Sequence, residues 1–175
     1  MSGLHYAVVV SLYVQMPKKK ESKADKLRKW GLPYPKFQWS HLRYKHPFEK
    51  GVYWYYVSRY VRQRDVEKYG TCISCGKSIT VETCDAGHFI AAAGCGRDLL
   101  FDLHNINAEC GGCNAFDSNH LIGYEKGLIE RYDHTVPQYL KDMYWEYKNG
   151  GVLKDWKASE YAEKIQALPN YQQSD

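Results

Sequence analysis

Four cysteines in two closely spaced pairs are the residues of this chain best suited to chemistry. Two residues separate Cys72 from Cys75, and two separate Cys110 from Cys113. Two such pairs supply four thiolates for a tetrahedral zinc site, which can hold together a segment that has little hydrophobic core of its own. We therefore predict that these four cysteines bind one structural Zn²⁺ ion.

An acid and a histidine lie between the two pairs. Their stretch reads Asp85-Ala-Gly-His88, and Asn114 directly follows the last cysteine. A neutral imidazole can take a proton from water, while carboxylate and amide oxygens suit Mg²⁺ or Mn²⁺. Hydrolysis of a phosphodiester needs this combination, with His88 as the general base and Asp85 and Asn114 near the cation. Asn105 is expected to tie the intervening loop to backbone groups, and the competing interpretation of His88 is a hydrogen-bonded structural histidine.

Charge is spread unevenly along the 175 residues. The whole chain carries a net +4, but residues 18–64 contain 14 lysines and arginines against three acids, a net +11, so the remainder carries −7. A basic front half predicts a polyanion such as DNA as the partner, although a solvated charged surface is the plainer alternative. The side chains expected to contact phosphates are Lys18, Lys19, Lys20, Arg59, Arg62, Arg64 and Arg97.

The six cysteines would suggest disulfides in a secreted protein. The apolar run at residues 7–14, however, lacks a basic segment before it and a cleavage site after it, and it is shorter than the roughly 20 residues of a spanning helix. The run is either a short strand or translated sequence upstream of a start at Met16. We predict a cytoplasmic protein with no membrane partner, in which paired cysteines bind zinc and Cys84 and Cys95 are small buried residues.

The apolar periodicity predicts an α+β protein in three parts. These are a basic aromatic arm at residues 1–50, a helix with a zinc-bearing core at 51–135, and a helical segment at 136–175. Helices are predicted at residues 22–30, 51–69, 123–132, 136–148 and 154–168, with another beginning at Cys113. Strands are predicted at 79–82 and 84–90, with 91–98 as a loop. This core is a zinc knuckle of the treble-clef type.

Taken together, these residues resemble the NinG/Rap family of recombination proteins of lambda-like phages. The resemblance rests on Cys72–Gly76, Asp85–His88, Phe101–Cys110 and Cys113–Asn114, and it extends over roughly residues 50–168. It implies an HNH, or ββα-metal, endonuclease core in which His88 is the general base. It also implies a structure-selective enzyme that cuts Holliday junctions and D-loops with a divalent cation during phage recombination.

Two alternatives and several partners stay open. A non-catalytic zinc-dependent DNA-binding module is the first alternative, and a zinc-stapled adaptor between proteins is the second, disfavoured by the basic front half. A homodimer, and phage or host recombination proteins in the bacterial host cell, are partners that the sequence leaves open. The choice between an enzyme and a binding module depends on His88.

The chain departs from the HNH pattern at two points. The acid stands three residues before the histidine, and on a regular strand Asp85 and His88 face opposite sides. A bulge or turn at Ala86–Gly87 is therefore predicted if both are to meet one metal. The last histidine of the pattern has no clear counterpart, and Asp117 and His120 are the candidates for it, with Asp117 a further ligand for Mg²⁺ or Mn²⁺.

Overall fold

The fold is α+β, with a two-stranded sheet among helices. The computed structural model describes residues 20–32, 43, 48–150 and 156–169, so the predictions for Lys18, Lys19 and residues 7–14 lie outside it. The elements in chain order are α1 Lys23–Lys29, α2 Phe48–Lys68, β1 Cys84–His88, α3 Arg97–Leu100, β2 Ile106–Cys110, α4 Gly111–Phe116, α5 His120–Arg131, α6 Thr135–Lys148 and α7 Ala158–Ala167. No helix in the described ranges has both the length and the apolarity needed to cross a bilayer.

Helix α2 is the central element, and its prediction is confirmed. The helix expected at 51–69 runs from Phe48 to Lys68, and Gly70 follows it with a φ of +65° that favours glycine. Its apolar stripe is buried against the sheet on one side and α7 on the other. The periodic apolar residues therefore form core, as their spacing indicates.

The first and last described helices pack into the same core as α2. Ser22 caps α1 by accepting a hydrogen bond from the Asp25 backbone N–H, and Leu27 is buried. The side chain of Gln166 on α7 donates to the carbonyl oxygen of Trp30 at 2.6 Å. Both helices were predicted from the sequence, and their contacts bring the basic arm against the C-terminal segment.

The sheet corrects two predictions. Strands β1 and β2 pair antiparallel in an unbroken register from Cys84↔Cys110 to His88↔Ile106. The expected bulge at Ala86–Gly87 is therefore wrong, because every residue of β1 has its partner. The expected strand at residues 79–82 is also wrong: hydrogen bonds between Thr80 and Thr83 close a turn there. A turn cannot supply a ladder, so β1 pairs with the strand leading into the second cysteine pair.

Two smaller boundaries also differ from the predictions. Arg97 was expected in a loop, but it begins the short helix α3. The helix expected to begin at Cys113 begins at Gly111, with Cys110 at its N-cap. Consequently Cys110 ends a strand and Cys113 lies on a helix, so the second pair of thiols spans the junction between two elements.

Helix α5 packs directly on the backbone of the first cysteine pair. Gly123 and Gly127 lie one turn apart on its inner face, and a Cβ on either would overlap a carbonyl oxygen, that of Ser74 or Ile73 respectively. Glycine is required there because the two backbones approach too closely for any side chain.

Gly123→Ala is accordingly expected to destabilise the protein by roughly 3 kcal/mol or more, since the clash is with backbone that cannot rotate away. In a free helix the same change stabilises by about 1 kcal/mol, so the sign of the effect is diagnostic. Urea unfolding measures it, with Lys126→Ala on the exposed face of α5 as the control. An unchanged unfolding midpoint for Gly123→Ala would show that α5 does not pack against the backbone of Ile73 and Ser74.

Candidate functional site

The four predicted cysteines come together in one cluster. The Sγ atoms of Cys72, Cys75, Cys110 and Cys113 all lie within 4.8 Å of one another. The turn at the first pair is held by backbone hydrogen bonds, and the N–H of Ile73 donates to the carbonyl oxygen of Ala108 on β2. Four sulfurs at this spacing can hold a zinc ion.

The packing of the cluster opposes ionisation of the Cys113 thiol. Burial beside three neighbouring thiols raises the pKa of Cys113 far above its usual range. A dipositive ion reverses this effect, because it stabilises the thiolates that burial disfavours. Cys84 is buried beside the cluster but does not belong to the group of four among the described residues. Its expected role as a small buried residue agrees with this placement.

A buried carboxylate ties α2 to the sheet and to α5. Asp65 accepts hydrogen bonds from the backbone N–H of Ala108 at 2.6 Å, from Arg64 Nε at 2.6 Å and from Arg131 Nη1 at 3.3 Å. Arg64 also donates to the carbonyl oxygens of Leu103 and Ile106. These bonds hold the Arg64 guanidinium against Asp65 and the sheet, and its contact with DNA phosphates stays a prediction.

His88 lies in the core, on the opposite face of β1 from Asp85. Its ring stacks on Trp54 with centroids 5.1 Å apart, and the residue is only 9% exposed. Its Nε2 lies 2.9 Å from the carbonyl oxygen of Leu100, which can only accept, so Nε2 carries the hydrogen. Nδ1 makes no hydrogen bond to a described residue. The expectation that His88 and Asp85 share one pocket is wrong, because the strand is regular.

The environment of His88 keeps its imidazole neutral. Burial lowers its pKa to about 4; the nearby charge of Arg43 acts in the same direction, and the hydrogen bond to Leu100 opposes it. An unfolded chain binds the proton near pH 6.5, so between these values the unfolded state holds more protons than the folded state. The stability that this difference provides is present above pH 6.5 and is lost as the pH falls toward 4.

We therefore expect the free energy of unfolding to fall by about 2 kcal/mol between pH 7 and pH 5 through His88 alone. His88→Gln keeps an N–H donor without a titrating group, so its pH dependence should be flatter by that amount. Urea unfolding of the two zinc-loaded proteins at both pH values measures the difference, and acid effects on the zinc site are common to both. Parallel pH profiles would show that His88 is not buried in this way.

The other face of β1 gathers the remaining polar groups. Asn114 Nδ2 donates to Asp85 Oδ2 at 3.2 Å, so the structure does bring these two predicted residues together. Asp85 pairs across the sheet with Glu109, whose buried carboxylate accepts hydrogen bonds from Ser74 and His120. Asp117 instead accepts from the backbone N–H of Asn119, and no described contact joins it to Asp85 or Asn114. The tentative ligand role of Asp117 thus finds no support in the geometry.

Glu109 was not predicted from the sequence. Its signal was its position, since it directly precedes Cys110 and falls opposite Asp85 once β1 and β2 are aligned. Pairing 84–88 with the residues before the second cysteine pair, instead of with 79–82, would have found it.

A polar cleft opens between α2 and the edge of β1. It has a volume of about 270 Å³ and is lined by Arg43, Trp54, Ser58, Arg62, Asp85, Ala86 and Asn114. Arg62 donates to the carbonyl oxygens of Ser58 and Val81, which hold its guanidinium at the cleft. The lining therefore combines two cationic groups with a carboxylate and an amide. The cleft is suited to a phosphate and a cation together.

Three further predicted residues have structural contacts. Asn105 accepts from the N–H of Ile90 and donates to the carbonyl oxygens of Ile90 and Leu99, which confirms that it ties the loop. Arg97 donates to the hydroxyl of Tyr161 at 2.6 Å and so joins α3 to α7. Arg59 bonds to the hydroxyl of Tyr55 and Lys20 is exposed, and DNA contact by Arg59, Lys20 and Arg97 stays a prediction.

Comparison with known proteins identifies the family. A family model described as Bacteriophage Lambda NinG protein matches residues 12–170. The protein ninG of Salmonella phage P22 is 40% identical over 114 residues, 64% of this chain and 53% of that protein. The protein ninG of Escherichia phage lambda is 30% identical over 116 residues, 65% of this chain and 54% of that protein.

The chain spans about half the length of the curated relatives it matches. No solved structure matches it significantly. Because the family model covers most of its length, this chain belongs to the NinG family of lambda-like phage proteins.

Proposed function

We propose that the chain is a metal-dependent endonuclease that cuts branched DNA, such as Holliday junctions and D-loops, during phage recombination in the cytoplasm of the bacterial host. The observation that carries the proposal is the polar cleft. Its lining includes the guanidinium groups of Arg43 and Arg62 together with the side chains of Asp85 and Asn114. Guanidinium groups pair with phosphate oxygens, while the acid and the amide offer the hard oxygen ligands that Mg²⁺ and Mn²⁺ prefer.

The order of elements supports an HNH, or ββα-metal, core. Strand β1 pairs with β2, and helix α4 follows β2 directly. Of the four clustered cysteines, the first pair precedes β1 and the second spans the junction of β2 and α4. The zinc cluster supplies folding energy to a segment with a two-stranded sheet, and it sets the start of the helix that carries Asn114. This arrangement leaves the side chains of Asp85 and Asn114 on one side of the sheet.

The chain's own residues would act at such a site together with a bound cation. When bound, Mg²⁺ or Mn²⁺ would stabilise negative charge on the phosphate and on the leaving oxygen. Arg62 would orient the phosphate, held by its bonds to two backbone carbonyls. His88 is neutral, with its Nε2–H engaged by Leu100 and its lone pair on Nδ1, but its ring lies in the core beneath Trp54 and not in the lining of the cleft, so its role as general base stays a prediction from the family resemblance.

A second candidate function is a zinc-dependent DNA-binding module without catalysis. The burial of His88, away from Asp85 and Asn114, specifically favours it. A histidine whose pKa is about 4 is also a weak base, since general bases work best with a pKa near the operating pH. Both candidate functions would use the basic residues at 18–64 to contact DNA phosphates. Such contacts recognise the charge and shape of DNA and not its base sequence.

A panel of linear, forked and four-way DNA, incubated with Mg²⁺, Mn²⁺ or a chelator, separates these candidates. We expect nicking of forked and four-way DNA with either cation, and none with the chelator or on linear DNA. Zinc-loaded protein that binds the branched DNA but cuts none of it under any condition would instead establish the binding module. Protein that neither binds nor cuts would exclude both.

A further inference from the structure

The buried carboxylate of Glu109 is the least satisfied polar group in the described part of the chain. The side chain is 0% exposed. Its Oε1 accepts hydrogen bonds from Ser74 Oγ at 2.5 Å and from His120 Nδ1 at 2.7 Å. Its Oε2 is buried and has no hydrogen-bond partner among the described residues. Leaving a buried carboxylate oxygen unpaired is costly, so native proteins rarely do it without a reason.

The space beside this oxygen is lined by other oxygen groups. A Cβ on Gly87 would overlap Glu109 Oε2 and would lie 3.1 Å from Asn114 Oδ1, so both oxygens lie beside Gly87 and close to one another. The amide nitrogen of Asn114 donates to Asp85, and its oxygen is therefore directed away from that carboxylate. No lysine or arginine of the described residues forms an ion pair with Glu109.

One kind of ligand satisfies all three groups. A single hydrogen-bond donor would pair with one acceptor, but two carboxylates and an amide oxygen gathered on one face of β1 carry excess negative charge. A divalent cation with hard oxygen ligands neutralises that charge. Ser74 and His120 hold Oε1, and Oε2 lies beside Gly87.

We propose that Glu109 is a direct ligand of a divalent cation, Mg²⁺ or Mn²⁺, which it binds together with Asp85 and Asn114. The proposal shares its cation with the proposed nuclease function, but it concerns binding and does not require cleavage. It also links the two metal sites, because Ser74 lies between two zinc ligands and Glu109 adjoins a third. Loss of zinc is therefore expected to weaken binding of the second cation.

Mn²⁺ alone is the probe, added to the zinc-loaded full chain and followed by the loss of its free EPR signal. We expect one bound Mn²⁺ in the parent protein. The affinity of Glu109→Gln for Mn²⁺ should be lower than that of the parent by a factor of roughly ten or more, although the variant keeps the side-chain shape and an acceptor for Ser74 and His120. Glu130→Gln, on the exposed side of α5, is the matched control and should bind Mn²⁺ as the parent does. Zinc content and circular dichroism of each variant establish that it is folded.

A second measurement does not depend on any variant. In the unmodified protein, sub-stoichiometric Mn²⁺ should broaden the carboxyl ¹³C signal of Glu109 before those of other glutamates. Sharp Glu109 signals at saturating Mn²⁺, or equal affinities of the parent and Glu109→Gln, would overturn the proposal. Binding that requires Glu109 in a protein that cuts no DNA would defeat the nuclease function alone, whereas cleavage by a Glu109→Gln protein with unchanged Mn²⁺ affinity would defeat this inference alone.

Discussion

Asp85→Asn is expected to reduce the rate of nicking branched DNA by roughly a hundredfold to a thousandfold, because it removes a charged oxygen ligand of the cation that stabilises the reacting phosphate. The change is nearly isosteric. An asparagine can still accept the hydrogen bond that Asn114 donates, so the fold and the zinc content should be unaffected. Single-turnover cleavage of a labelled four-way junction in Mg²⁺ measures the effect.

Asp117→Asn is the matched control for this prediction. Asp117 is an exposed acid of the same type, just beyond α4, and an asparagine there can still accept from the N–H of Asn119. Because no described contact brings Asp117 to Asp85 or Asn114, its replacement should leave nicking near the parent rate. The reverse result, with Asp117→Asn inactive and Asp85→Asn active, would move the cation to the end of α4 and contradict the cleft assignment.

Cys113→Ser is expected to release zinc and unfold the centre of the chain. A structural zinc site contributes on the order of 10 kcal/mol to folding, which is comparable with the whole stability of about 5–15 kcal/mol of a typical domain. The segment between the cysteine pairs has only a two-stranded sheet and the four-residue helix α3 of its own, so it has little with which to replace that energy. Zinc stoichiometry and thermal unfolding of the purified variant measure the loss.

Cys84→Ser provides the comparison. Cys84 is buried beside the same cluster, but it is outside the group of four that can hold a metal. Its replacement should cost only the burial of a hydroxyl, about 1–3 kcal/mol, and should leave one zinc per chain. A Cys113→Ser protein that retains full zinc and melts with the parent would exclude Cys113 as a ligand.

Local patterns were enough to predict the helices. The apolar stripe of α2 and the stop at Gly70 are short-range features, and the structure confirms both within a few residues. The strand at 79–82 failed for the opposite reason. Its β-branched residues Ile79, Thr80 and Val81 suit a strand, but the Thr83 side chain accepts from the N–H of Thr80 and closes a turn instead. Hydrogen bonds within four residues competed successfully with a pairing that the sequence alone could not locate.

The residues of the candidate site also fall into those that local sequence could predict and those that it could not. The four cysteines could be predicted because their spacing is itself the chemical requirement for zinc. The hydrogen-bond partners of Arg64 and Arg97 could not be predicted, because the sequence around an arginine does not indicate which distant groups its side chain will contact. Arg64 donates hydrogen bonds to Asp65 and to two backbone carbonyl oxygens. Arg97 donates to the hydroxyl of Tyr161, which lies on the last described helix.

Residue types and short spacings thus determined the family, the helices and the four cysteines that can hold zinc, because those properties depend on groups that are neighbours along the chain. Tertiary structure alone decided which face of β1 each side chain occupies. Its regular pairing with β2 turned His88 into the core and placed Asp85 opposite Glu109. The physical reason is the two-residue period of a strand: the partner strand sets the register, and the register decides which side chains can share a pocket.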